Sequence, residues 1–145
     1  MSDPDFDVVL RAWEAFSRVD LDGMLNELHP QVVARPFGAA LEGQTYRGTE
    51  QVRLWWRDEI LGTWDFFRVL VEGFQRVGNR LLVTGRWNAR GIESGIELEI
   101  AASWIIHVID GKIAYWRTYT EHDQARRDIG LADQRSGGGM IRLPH

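Results

Sequence analysis

From Phe66 to Thr120 the chain holds four long strand-like runs joined by short connections, and this stretch constrains the fold most. The runs are Phe66–Val77, Leu81–Arg90, Ile96–Ile109 and Lys112–Thr120. Gly78-Asn79 and Asp110-Gly111 join neighbours through tight turns, the second being the strongest hairpin signal in the chain. Gly91–Gly95 forms the remaining connection. Strands joined this way run antiparallel. A sheet built from them buries at least one face, and the segments before Gly62 supply the cover.

Those earlier segments are mostly helical. Phe6, Val9, Leu10, Trp13 and Phe16 recur at helical spacing over residues 5–19, with Asp3 as N-cap and Pro4 in the first turn. Asp20-Leu21-Asp22-Gly23 interrupts the pattern, and a short second helix carries Met24, Leu25 and Leu28. His29-Pro30 ends it, because a residue before proline avoids the α region. Val32–Phe37 reads as a strand and 38–48 as a loop with three glycines. Thr49 opens a third helix that buries Val52, Trp55, Trp56 and Ile60. After the sheet, Glu121–Ile129 reads as a helix ended by Gly130. Helices followed by antiparallel strands define an α+β domain. The domain is placed at residues 1–131, and the polar, glycine-rich 132–145 is expected to be a flexible tail.

Composition narrows the functional classes. A net charge of −4 argues against nucleic acid as a partner. The chain has no cysteine, so thiolate metal sites and disulfides are excluded. No apolar run approaches the roughly 20 residues of a membrane helix, and the acidic start Met-Ser-Asp-Pro-Asp is unlike a signal peptide; a cytoplasmic protein without membrane contact is expected. Neither a metal nor a cofactor is called for. His122 has acidic neighbours at 121 and 123, but adjacent helical residues do not face one site. Seven tryptophans in 145 residues imply an aromatic core, interface or cavity. In Ile96–Ile109, Ile100, Ala102, Trp104, Ile106 and Val108 share one face, and Ser103, Ile105, His107 and Ile109 share the other. Both faces are largely apolar, so a homodimer through the outer sheet face is expected.

The order of Asp20-Leu21-Asp22-Gly23, Tyr46-Arg47-Gly48-Thr49-Glu50, the Trp-rich helix and Asp110-Gly111-Lys112-Ile113 resembles the SnoaL-like group of the nuclear-transport-factor-2-like superfamily over about residues 5–131. That group includes polyketide cyclases, ketosteroid isomerase and limonene-type epoxide hydrolases. The resemblance implies a cone-like, curved, antiparallel or mixed sheet packed against three N-terminal helices and enclosing a pocket. It also says where catalytic groups would fall. The tyrosine, base and second acid of ketosteroid isomerase fall on Ala12, Arg35 and near Trp104. The acids of the epoxide hydrolases fall on Asn88, beside Arg86, and on Thr118; the cyclase aspartate also falls on Thr118. None of these positions keeps an acid or a phenol, and an arginine does not act as a base near neutral pH. This chain is therefore not expected to be a standard ketosteroid isomerase or limonene-type epoxide hydrolase.

If the positions matched to the family face the pocket, alternation gives a pocket with Arg35, Phe37, Trp104, Trp116 and Thr118 as ligand contacts, together with Trp55 or Trp56 from the third helix. Glu72, Arg86 and Asn88 are the candidate catalytic set, with Glu72 either a proton carrier or the structural ion-pair partner of Arg86. Such a pocket suits a hydrophobic cyclic small molecule, neutral or anionic. Three functional classes stay open: a cofactor-free isomerase, cyclase or lyase; a non-catalytic binding module; and a structural homodimer. His29 and His107 are expected to be structural, and Tyr119 to pack.

Overall fold

The computed structural model describes residues 3–36 and 44–131, together with the backbone of 141–142. Helix α1 (Pro4–Ser17) and α2 (Leu21–Asn26) lead into β1 (Leu28–Arg35), then β2 (Tyr46–Arg47) and α3 (Gly48–Trp55), which runs on into a π-helical turn at Trp56–Ile60. The sheet continues with β3 (Trp64–Val77), β4 (Arg80–Gly91), β5 (Glu97–Ile109) and β6 (Lys112–Tyr119), followed by α4 (His122–Ile129) and β7 (Ile141–Arg142). The strand order is β2-β1-β6-β5-β4-β3-β7. Among the described strands, only β1 and β6 run parallel. This is the α+β architecture with a mixed sheet that the sequence predicts. The expected flexible tail falls largely outside the described residues.

Several boundaries follow from local chemistry. Asp3 accepts hydrogen bonds from the backbone N–H groups of Asp5 and Phe6, at 3.0 and 3.4 Å, and so caps α1. Asp20 caps α2 by accepting from the Gly23 N–H at 2.9 Å. Asp110 and Gly111 both adopt positive φ, 53° and 74°, as a two-residue hairpin turn requires. Gly130 ends α4 in the left-handed region at φ 95°. β1 begins earlier than expected, at Leu28, and its register on β6 shifts between Leu28 and Val33. Pro30 falls inside that irregular stretch, where a missing N–H is tolerated.

The concave face of the sheet carries the main core. Val83 of β4, Trp104 and Ile106 of β5 and Trp116 of β6 are buried against Val9, Ala12, Trp13 and Phe16 of α1. Phe74 stacks on Phe6 with ring centroids 3.9 Å apart. The convex face has a separate, smaller core. Leu82 and Ile105 from the sheet pack with Tyr119 and with Ala125 and Ile129 of α4. The buried Ser103 shares a hydrogen bond with His122 at the start of α4. This corrects the reason for expecting a partner on the outer face. Ile105 is covered by the chain's own last helix, and beyond α4 the convex face carries ion pairs beside the exposed apolar Phe66 and Ile109. There Arg86 pairs with Glu72 and Glu99, and Arg90 with Asp65.

Asp3 also receives Arg76, which bridges to Asp5, so the first turn of α1 is tied to β3. The hydrogen bond from Arg76 is the main reason the Asp3 carboxyl is held below the usual carboxylate range. A group whose folded-state pKa is depressed stabilises the fold above its unfolded value and loses that contribution as pH falls through the folded one. Asp3→Asn keeps the cap but weakens the ion pair. It should lower the urea midpoint at pH 7, and its deficit against the wild type should shrink as pH falls below 3.8. A deficit constant from pH 7 to pH 3 would show that the charge on Asp3 does not matter.

Candidate functional site

A cavity lies between the concave face and the helices. Trp13 and Phe16 of α1, Met24 of α2 and Trp55 of α3 meet it from the helical side, with Ile60 from the π-turn. Val69, Trp87, Ala102, Trp104, Trp116 and Thr118 meet it from β3 to β6, and Pro36 follows β1 at its wall. Its volume is about 40 Å³, counted as the space open to the centre of a water molecule. One water needs about 10–15 Å³ on that measure, so the space takes several waters or a flat group.

The aromatic walls are set by the sheet register. Trp104 pairs with Thr118 across β5–β6, and Ile106 with Trp116, so these side chains share the concave face. Across β4–β5, Val83 pairs with Trp104 and Trp87 with Ile100, so inward positions are odd-numbered on β4 and even-numbered on β5. Trp13 meets Trp104 and Trp116 edge to face at 5.9 and 5.6 Å. Trp55 meets Trp116 at 6.2 Å and stacks on Phe16 at 6.0 Å. Such edge-to-face contacts add to burial and fix ring orientation.

The register also corrects several expected placements. Arg86 and Asn88 lie on the convex face, because Trp87 between them is the inward residue. The fit of Arg86-Trp87-Asn88 to the epoxide-hydrolase motif is therefore out of phase by one residue, and these groups do not converge with the inward Thr118. Glu72 does not share a face with both Leu70 and Phe74. The ladder shifts between Val71 and Gly73, which leaves Glu72 as the extra residue of a bulge. Its carboxylate lies 3.4 Å from Arg86 on the convex face, as an ion pair. Arg35 pairs in register with Arg117, which pairs with the convex Ile105, so Arg35 also faces outward. Phe37 lies outside the described residues. Of the two tryptophans left open, Trp55 lines the cavity, whereas Trp56 is fully buried behind it. Trp104, Trp116 and Thr118 line the wall.

Trp13, Phe16, Met24 and Trp87 also line the wall, although the sequence argument did not place them there. For Trp87 the signal was present. Val83, Gly85, Trp87 and Ala89 alternate with Thr84, Arg86, Asn88 and Arg90, and plain polarity puts the first set inward. Trp13 and Phe16 sit on the apolar stripe of α1, and one stripe serves both core and cavity.

No lysine, arginine, histidine, aspartate or glutamate lines the cavity among the described residues. Tyr119 also borders the cavity, but it pairs with the outward Ser103 and its ring packs in the convex core against α4. Burial pushes its phenol above the ordinary tyrosine range, and its O–H donates to Asp128 at 2.9 Å. The Arg117 guanidinium lies 4.6 Å from its ring centroid. Tyr119 is thus a neutral phenol at physiological pH, with its proton committed to α4. Among the described residues no group of three or more His, Cys, Asp or Glu side chains is placed to hold a metal ion. None of their helices is long and apolar enough to cross a membrane.

The fold and the cavity define an α+β domain of the NTF2-like type. The chain belongs to the SnoaL-like domain family, which it matches over residues 9–116. It is similar to an NTF2-like protein of unknown function from Burkholderia pseudomallei, with a TM-score of 0.74 and 22% identity over 90% of this chain and 100% of that one. It is similar to TerC, crystallised with polyporic acid, with a TM-score of 0.72 and 20% identity over 88% of this chain and 98% of the other. A Mycobacterium tuberculosis protein in complex with estradiol-17β-hemisuccinate gives 0.69 and 18% identity over 83% and 95%. At these identities the likeness establishes the fold. No curated protein matches the chain.

Proposed function

We propose that this chain is a non-catalytic module that binds a neutral, hydrophobic, ring-bearing small molecule in the cavity. The carrying observation is the wall itself, which is aromatic on both sides and free of charged side chains among the described residues. Proton-transfer chemistry needs an acid or base within reach of the ligand. Glu72, Arg86 and Asn88, the candidates for that work, face away from the cavity. Two proteins of similar fold were crystallised with ring-bearing molecules, which supports the ring-bearing part of this reading; both molecules are acids and do not bear on its neutral part. An uncharged wall disfavours an anion, because a buried charge without a partner is costly. A homodimer through the outer sheet face is compatible with this reading, with the exposed Phe66 and Ile109 beyond α4 as apolar contacts.

The neutral ketone 2-acetonaphthone and the anion 2-naphthoate have similar rings and test the reading directly. The ketone should raise the melting temperature and bind at least about tenfold more tightly than the anion, and NMR should show it unchanged after prolonged incubation. Tighter binding of the naphthoate would mean a cation reaches the cavity. Conversion of the ketone would mean the module is an enzyme.

A further inference from the structure

We propose that the indole N–H of Trp13 is the group that recognises the ligand, so the ligand carries an uncharged oxygen acceptor, such as a ketone or quinone carbonyl, on its ring. The inference rests on the binding reading above and deepens it. Trp13 is 5% exposed and lines the cavity. Its Nε1 is buried and has no hydrogen-bond partner among the described residues. Buried donors are nearly always paired, and one left without an acceptor in the protein asks for a water or a ligand oxygen. The ring has little freedom to turn elsewhere, because Trp104 and Trp116 both meet it edge to face.

The rest of the wall defines what that acceptor is. Besides Trp13, the described wall carries the indoles of Trp55, Trp87, Trp104 and Trp116 and the hydroxyls of Thr118 on β6 and Thr120 just after it; of these indoles, only that of Trp13 has a buried N–H without a partner among the described residues. An indole N–H donates and cannot accept, so it selects for an acceptor and against a second donor. With no cation on the described wall, a carbonyl oxygen suits the site better than a carboxylate. Trp56 provides an internal comparison. Its Nε1 is also buried without a partner among the described residues, but Trp56 is fully buried and does not line the cavity. Trp56 lies away from the cavity, whereas the indole of Trp13 borders it.

The test compares 2-acetonaphthone with 2-ethylnaphthalene, which has the same shape and a methylene in place of the carbonyl. Dissociation constants are measured for the wild type, Trp13→Phe and Trp56→Phe. The ratio between the two probes cancels the change in ring packing. Trp13→Phe should shift that ratio against the ketone by about five- to tenfold, the worth of one hydrogen bond, whereas Trp56→Phe should leave it unchanged. In the wild type, the ketone should move one indole N–H resonance in a ¹⁵N-labelled NMR spectrum far more than the hydrocarbon does. The wild-type spectrum keeps the question open to decision if Trp13→Phe does not fold. An unchanged ratio, or equal shifts with both probes, would overturn the role of Trp13 while the binding reading stood. If neither probe bound the wild type, the binding reading and the assignment would fall together.

Discussion

Trp116→Ala is expected to lower the unfolding free energy by about 3–5 kcal/mol, the usual cost of removing a large buried aromatic. Trp116 is 2% exposed and touches tryptophans from two different helices, Trp13 of α1 and Trp55 of α3. It also sits in the middle of the concave face, paired with Ile106 on β5 and with Ala34 on β1. The void cannot close by moving one neighbour, because those neighbours belong to separate elements. A domain has only about 5–15 kcal/mol in hand, so the loss is a large fraction of the whole. Urea unfolding followed by circular dichroism would show it as a lower midpoint with an unchanged slope. A change below about 1 kcal/mol would mean that Trp116 does not join the helices to the sheet.

Gly85→Ala should be nearly as damaging, although it adds only a methyl group. A Cβ at that position would lie 1.9 Å from the Leu70 carbonyl oxygen, 2.9 Å from its carbon and 3.1 Å from the Val71 Cα. These are backbone atoms and cannot rotate aside. Gly85 pairs with Val71 where the β3 ladder bulges, and a glycine there marks a close backbone approach. Relief requires β3 and β4 to separate or the bulge to move. Such overpacking costs about 2–3 kcal/mol. Because Gly85 also pairs with Ala102 on the cavity wall, 2-acetonaphthone binding should weaken with stability. An alanine variant with wild-type stability and affinity would show that the strands approach less closely than this.

The architecture was largely legible in the residues. The stripe Phe6, Val9, Leu10, Trp13 and Phe16, the Asp110-Gly111 turn and the four strand runs placed the helices and the sheet. Side-chain direction was less legible, for two reasons. On β4 the resemblance of Arg86-Trp87-Asn88 to a catalytic motif overrode the polarity alternation, which pointed the right way. On β3 the bulge at Glu72 reverses the phase after Val71, and the isolated Gly73 beside it was the one local signal. The Gly85 that permits the bulge lies on the neighbouring strand. On the apolar outer face of Ile96–Ile109, α4 covers Ser103 and Ile105, whereas Ile109 stays 40% exposed. A strand pattern says that a face is buried and not which chain buries it.

The division of the apolar residues between two sides of one sheet has a consequence for how the molecule fails. The concave side is anchored by three helices and several tryptophans, while the convex side is closed by the eight residues of α4 over a small cluster. Local opening begins where the fewest contacts must be surrendered. The protein therefore has a weak hinge at its back: undocking α4 bares Leu82 and Ile105 while the pocket's frame holds. Under mild stress it would grow sticky before the walls of the cavity came apart.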